Sequence, residues 1–440
     1  MRDIVLTAIY FGMLPYVFSR PYIGIYIWCW MGFMNPHRLT YGFAYDFPFS
    51  QIVAIVIFIS MLKLKEPIRV PWTRETILLL MFILWMFFTT IFALNTDGAW
   101  DQWSKVWKIQ LMLYVMLMLI DTKQKLNWLI WVIVLSLGLY GVKGGIFTIS
   151  TGGAFNVQGP AGSFIGGNNE IGLALIMTIP LMRYLQLQAK YVWVHQGVTV
   201  AMFFTGIAAI GSQSRGALIG MTVMGIFLWL KSRNKIFTVL SILVVVGALA
   251  AIMPQSWYDR MSTIETFKED KSAMTRINTW WMAYRIAEDR ITGGGFETFF
   301  PPAFKKYAPI TGGADAHSIY FEIMGEHGFI GLTMFLLLAW FTWNTGSRIR
   351  RFAKRRPETK WAADLASMVQ VSMVGYAASG AFLGLAYFDL YYTLIAIMVI
   401  CKMISLEELA QLDIEPGKDG KPLVETNERP SQKTDVLVRN

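Results

Sequence analysis

The chain has 440 residues, 55% of them hydrophobic and 15% charged, with a mean hydropathy of +0.45. A soluble globule carries about 25% charged residues, so this composition excludes one and implies a protein that crosses a membrane several times. The formal charge of +10 does not point to nucleic acid, because residues 254–316 balance eight Lys/Arg against eight Asp/Glu and the basic excess sits in short loops, which is the positive-inside pattern of membrane proteins.

Seventeen Trp and eighteen Tyr suit aromatic belts at the two interfaces, and twenty-five Met suit adaptable helix packing. Cys29 and Cys401 both lie in apolar runs, which leaves neither a disulfide framework nor a thiolate metal site. The first apolar segment lacks a small-residue cleavage site, so the N-terminus is expected to be retained.

A membrane helix needs about 20 apolar residues. In chain order the apolar runs predict crossings at 48–62, 76–94, 105–120, 126–149, 169–187, 192–211, 215–231, 236–253, 317–345, 362–386 and 389–405. Before them, 4–18 and 22–34 are short and separated by Pro21, so they read as two short helices or one broken crossing. The fold class is therefore an all-α polytopic integral membrane protein with about 12 transmembrane helices and a helical loop region between two late ones. Thirteen crossings with the N-terminus outside is the alternative.

Basic loops at Lys63, Lys65, Arg69 and Arg74, at Lys123 and Lys125, at Lys231, Arg233 and Lys235, and over 348–356 mark the cytoplasmic side. Counting crossings from them puts 35–48, 95–104, 150–168, 212–216, 254–316 and 387–389 on the opposite face. Four regions follow: transmembrane helices with short loops over 1–253, an extracytoplasmic loop region over 254–316, C-terminal transmembrane helices over 317–406 and a polar tail over 407–440. The tail is expected to be disordered and cytoplasmic. No repeat at a fixed period is visible.

Within 254–316 the run 276–290 predicts a helix. Arg276, Trp280, Ala283 and Ala287 share one face and Gly293-Gly294-Gly295 is the stop. Trp280 and Trp281 suggest that it lies along the outer interface, and an amphipathic lid without chemistry is the competing reading.

The topology collects scattered ionisable groups on the outer side: Lys143, Glu170, Arg215, Arg276, His317, Glu322 and Asp389. Charges in membrane segments need partners or a water-filled cavity, and together these describe a polar cleft. His317 begins the apolar run after the long loop, with Phe321, Met324 and Gly328 expected on its face. Its residue type titrates near neutrality, and its readings are a proton-handling group and a satisfied interfacial histidine. Arg215, in Ser214-Arg215-Gly216, and Arg276 each read either as a phosphate-gripping fork or as an interfacial anchor. Glu326 and His327 read as a structural ion pair.

Other chemistries find little support. The four His at 37, 195, 317 and 327 have no carboxylate pair at ligand spacing, Gly293–Gly295 lacks the ending of a phosphate-cradling P-loop, and no serine sits in a nucleophile elbow. No metal and no cofactor are expected.

Ser214-Arg215-Gly216, Arg276-x-x-x-Trp280, Gly293-Gly294-Gly295-Phe296 and above all His317-Ser318 followed by nine residues and Gly328 resemble the O-antigen ligase and polysaccharide polymerase superfamily, which includes lipopolysaccharide O-antigen ligases. The resemblance covers about 160–345. Met34-Asn35-Pro36-His37-Arg38-Leu39 and Gly42-Phe43-Ala44 look like the O-glycosylation ligases encoded with exosortase systems. The resemblance implies a metal-independent, inverting glycosyltransferase of the bacterial inner membrane with its active site facing the periplasm. Such an enzyme takes a preassembled glycan from undecaprenyl diphosphate to lipid A-core or another hydroxyl acceptor. It implies His317 as general base and Arg215 and Arg276 as diphosphate ligands; from their place on the outer side, Lys143, Glu170 and Asp389 are expected as further diphosphate or substrate contacts. Relatives often carry Asn where this chain has Ser318, which receives no catalytic role. A polysaccharide polymerase and a protein O-oligosaccharyltransferase are the alternatives within the superfamily, and a lipid or solute transporter is the rival of another class.

Overall fold

The computed structural model describes residues 1–64, 69–231, 271–310, 315–354 and 356–414, with scattered positions between 234 and 258. Among the described residues all regular structure is helical. The helices are α1 (Arg2–Ser19), α2 (Pro21–Met34), a 3-10 turn (Pro36–Leu39), α3 (Phe49–Met61), α4 (Arg74–Ile91), α5 (Thr96–Leu119), α6 (Lys123–Ser150), α7 (Asn168–Gln188), α8 (Val192–Gly211) and α9 (Arg215–Lys231). After a gap come α10 (Lys271–Asp289), α11 (Pro301–Tyr307), α12 (Ile319–Ala353), α13 (Lys360–Gly380) and α14 (Asp389–Ile414).

Among the described residues five helices, α4, α6, α7, α8 and α12, are long and apolar enough to cross a membrane, and α3 and α9 are shorter apolar helices. The chain is a polytopic membrane protein. The two opening segments are separate helices meeting at Arg20, with Pro21 at the first position of α2, where its missing N–H costs nothing. The expected crossing at 236–253 falls almost wholly outside the described residues, as does the tail from 415. Past Glu407, where the sequence suggests a disordered end, α14 continues to Ile414. The basic segment from Arg348 to Ala353 is likewise helical, the last turns of α12.

Lipid tails give helices no hydrophobic reason to associate, so close packing through small residues does the work. On α6, Gly141 and Gly145 face α8 so tightly that a Cβ would lie 2.2 Å from Thr205 Oγ1 and 2.3 Å from the Phe204 carbonyl. Hydroxyls inside these helices satisfy themselves, as Thr148 does on the Gly144 carbonyl at 2.9 Å and Thr178 on that of Ala174 at 2.7 Å. α13 is the central element, packed on α7, α9, α12 and α14. α12 also carries α4 and α10, and these contacts position the site.

Candidate functional site

The site forms where α12 begins. The helix starts at Ile319, two residues after His317, which is half-buried with φ at +45°. Trp280 of α10 holds this entry, donating its indole N–H to the Ala316 carbonyl at 2.8 Å and stacking on Phe321 with centroids 4.8 Å apart. Ala283 and Ala287 on the same face of α10 pack with Met324. The face read from the sequence is thus the one buried against α12, while Trp281 is exposed.

α12 is interrupted at Gly328, whose φ of 68° and ψ of −172° lie outside the helical region. This corrects the expected continuous face from His317 to Gly328. The segment 293–295 occupies the break: the Gly294 amide donates to the Gly325 carbonyl at 2.8 Å and the Gly295 amide to that of Glu326 at 2.7 Å. The contact leaves no room for side chains, since a Cβ on Gly293 would lie 2.5 Å from the Gly328 nitrogen. Arg290 ties the clamp to α4 by donating to the Gly293 and Phe92 carbonyls at 2.9 and 2.6 Å. The triple glycine, expected as a helix stop, is a docking strap for a second helix.

The break turns Glu326 and His327 inward, and they do not pair directly. The Tyr387 hydroxyl stands between them, donating to Glu326 Oε2 and lying 2.8 Å from His327 Nε2. Glu326 Oε1 accepts from the Glu297 amide at 2.8 Å, and His327 Nδ1 lies 2.7 Å from the Thr89 hydroxyl of α4.

Beside this network lies a cavity of about 280 Å³. Glu297, Asp315, Glu322 and Glu326 supply carboxylates to its wall, Gln102 an amide, and Phe164, Phe299, Tyr387 and Phe388 aromatic rings. Among the described residues that line it, none is Lys or Arg. Glu322 accepts from the Ala386 amide at 3.0 Å, which ties the loop before α14 to α12. Burial first, then the negative charge of Asp315, hold the Glu297 carboxyl above the ordinary carboxylate range against the opposing pull of Lys105. Among the described residues no three His, Cys, Asp or Glu side chains converge as a metal ligand set.

Of the residues chosen from the sequence, His317 is next but one to Asp315 of the cavity wall, and Arg276 lies one helical turn before Trp280. Arg215 opens α9 after a turn in which Gln213 has φ +55° and Ser214 Oγ accepts from the Ala217 amide at 3.2 Å. That turn touches two neighbours: Asn168, at the start of α7, donates to the Ser212 carbonyl at 2.9 Å, and a Cβ on Gly216 would lie 3.4 Å from Phe382. Glu170 folds back over Gly167 in the first turn of α7. Lys143 is exposed on α6. Asp389 is only 7% exposed, at the start of α14, and a Cβ on Gly32 of α2 would lie 3.3 Å from it. It packs between helices and is not among the residues lining the cavity.

Glu297 and Tyr387 are the residues that sequence reasoning missed, and Asp315 was passed over beside His317. Three of the non-glycine residues with positive φ, Gln213, Glu297 and His317, fall at these segments. Strain of this kind, about 1–3 kcal/mol each, concentrates at functional sites.

Two family models match the chain: residues 1–191 match a family of unknown function (DUF5935), and residues 200–336 match O-antigen ligase. No curated protein matches it. The O-antigen ligase match runs from within α8 to beyond the break in α12, and this part of the chain is therefore similar to the O-antigen ligase and polysaccharide polymerase superfamily.

Proposed function

We propose that this protein is an O-antigen ligase-type glycosyltransferase that moves a preassembled glycan from undecaprenyl diphosphate to a hydroxyl acceptor, lipid A-core foremost. It would span the bacterial inner membrane about 12 times, with its site on the periplasmic face. The observation that carries the reading is the O-antigen ligase match over the segments that hold Arg215, Arg276 and His317. The polar cavity beside the start of α12 supports it.

His317 is the general base, taking the proton from the acceptor hydroxyl as that oxygen attacks the anomeric carbon. A sugar hydroxyl is far less acidic than an imidazolium, so transfer is concerted with bond formation. The bond from the anomeric carbon to the diphosphate breaks and its electron pair leaves with the phosphate. The growing charge is met by Arg215 and Arg276, which bind it more tightly in the transition state than in the ground state. No metal is needed for such a leaving group, and direct attack inverts the anomeric centre. Lys143, Glu170 and Asp389 are further substrate contacts, with Asp389 also close to Gly32 of α2.

The test is transfer by purified protein in detergent, with lipid-linked glycan, lipid A-core and mass analysis of the products. His317→Ala should lower kcat about 100-fold or more, Arg215→Ala and Arg276→Ala should impair use of the donor, and chelator should change nothing. Near-normal transfer by His317→Ala overturns the base assignment. Lipid movement without a new glycosidic bond overturns the enzyme reading in favour of a transporter, and a ladder of lengthened glycans indicates a polymerase.

A further inference from the structure

The buried chain from Thr89 to Glu326 has a direction. Tyr387 donates its one hydroxyl proton to Glu326, so its oxygen can only accept from His327 Nε2 at 2.8 Å. In a neutral imidazole that leaves Nδ1 without a proton, so Nδ1 at 2.7 Å competes with the Met86 carbonyl at 2.9 Å for the single proton of the Thr89 hydroxyl and draws it toward the ring. Each dipole points toward the carboxylate, and hydrogen bonds aligned in this way strengthen one another. Phe296 closes the chain from its side, edge-on to His327 at 4.6 Å and to Tyr387 at 4.8 Å. His327 is fully buried.

Glu326 is therefore held from behind on both oxygens, by a phenol and by the Glu297 amide, and both holders are neutral. Each carboxylate oxygen accepts about two hydrogen bonds, so lone pairs remain on the cavity side. The partners that suit them are hydroxyl donors. Among the described residues the cavity lining has no Lys or Arg and includes three further carboxylates, Glu297, Asp315 and Glu322, a surface that repels a diphosphate. Phe164 and Phe388 add apolar faces that suit the C–H face of a sugar ring. At about 280 Å³ the cavity is just below the ~300–1,000 Å³ range of small-molecule pockets, a size for one ring.

We propose that Glu326 orients the hydroxyl-bearing acceptor sugar in this cavity, and that Tyr387, His327 and Thr89 are positioning residues that lock its carboxylate in place. The acceptor is thereby separated from the donor diphosphate. The inference rests on the transfer reading above.

The experiment measures initial rates of the full-length protein in detergent with undecaprenyl diphosphate-linked glycan and lipid A-core, varying each substrate in turn. The variants are Glu326→Gln, Tyr387→Phe and the double variant. Glu326→Gln should lower kcat/KM for the acceptor about 10- to 100-fold, with the donor KM within about two-fold of wild type. Tyr387→Phe, which keeps the ring packed against Phe296, should lower the same quantity by a smaller factor. The double variant should be no worse than Glu326→Gln, because Tyr387 acts through that carboxylate and coupled residues are non-additive. Loss by Tyr387→Phe that persists undiminished in the Glu326→Gln background marks a purely structural role and overturns the proposal, as does a parallel rise in donor KM. Wild-type protein that transfers while the single variants match it overturns this inference alone. Wild-type protein that makes no glycosidic bond overturns the transfer reading and this inference with it.

Discussion

Gly328→Ala is expected to damage the protein out of proportion to the one methyl it adds. With φ at 68° and ψ at −172°, position 328 lies in a region that only glycine occupies at ease, and a side chain there costs about 1–3 kcal/mol. The methyl would also sit 2.4 Å from the Ile291 carbonyl oxygen and 3.1 Å from the Gly293 nitrogen. These neighbours are backbone atoms that cannot rotate away, and overpacking of this kind adds about 1–3 kcal/mol. The sum is about 2–6 kcal/mol. Relief requires pulling 293–295 out of the break, with loss of the Gly294 and Gly295 bonds to α12. The assay is the half-life of the folded protein in detergent at a fixed elevated temperature, followed by tryptophan fluorescence, because membrane proteins of this size seldom unfold reversibly. Gly197→Ala is the control: it is helical, with nothing within 4 Å of the added carbon, and alanine there should gain about 0.5–1 kcal/mol. A Gly328→Ala protein that inactivates no faster than Gly197→Ala, and transfers glycan at the wild-type rate, would refute the clamp.

Two further outcomes follow from contacts around the site. Trp280→Ala removes the stacking on Phe321 and the hydrogen bond to Ala316; transfer should fall at least as far as about ten-fold while Trp281→Ala, on the exposed side, leaves it unchanged, and equal effects of the two would deny that α10 positions the His317 segment. At the far end of the chain, burial first and then Arg38 hold the His37 imidazole below its ordinary value, with Asp46 opposing. The unfolded chain therefore binds the proton first as pH falls, so the contribution of His37 is fully present above about pH 6.5 and is lost as pH drops through the lower folded value. His37→Gln should flatten the acid side of the stability profile measured by the same half-life, and an unchanged profile would show that other groups set it.

The helices were legible because an apolar run long enough to cross a membrane has few other options. The run 192–211 is α8 residue for residue, and 168–188 brackets the expected 169–187. The separation of α1 from α2 was legible in Pro21. What escaped depends on contacts between distant parts of the chain. A helical period runs through Gly328 undisturbed, so nothing local betrays the break, which exists because 293–295 docks there. Glu326 and His327 read as a pair because they are neighbours, and Tyr387, sixty residues on, takes the place between them. Asp389, read as part of an outer cleft, also lies close to Gly32 of α2, a neighbour that no local pattern shows.

The spacing His-Ser-x9-Gly acquires a geometric meaning from these contacts. His317 and Gly328 both have positive φ, at 45° and 68°, and they bracket the helical residues 319–327. Nine helical residues rise about 13.5 Å and turn about two and a half times. One residue more or fewer would rotate the far end by about 100°. Such a rotation would take Glu326 away from Tyr387 and the cavity while Ala316, beside His317, kept its bond to Trp280. A motif that sets length and phase in this way needs no contact between its two ends: the histidine takes the proton of the acceptor hydroxyl, the glycine admits the strap, and the helix between them delivers the carboxylate that orients the same acceptor. Inserting one alanine between Met324 and Gly325 should therefore abolish transfer although His317 and Gly328 both remain. Wild-type activity after that insertion would mean that the two positions work independently.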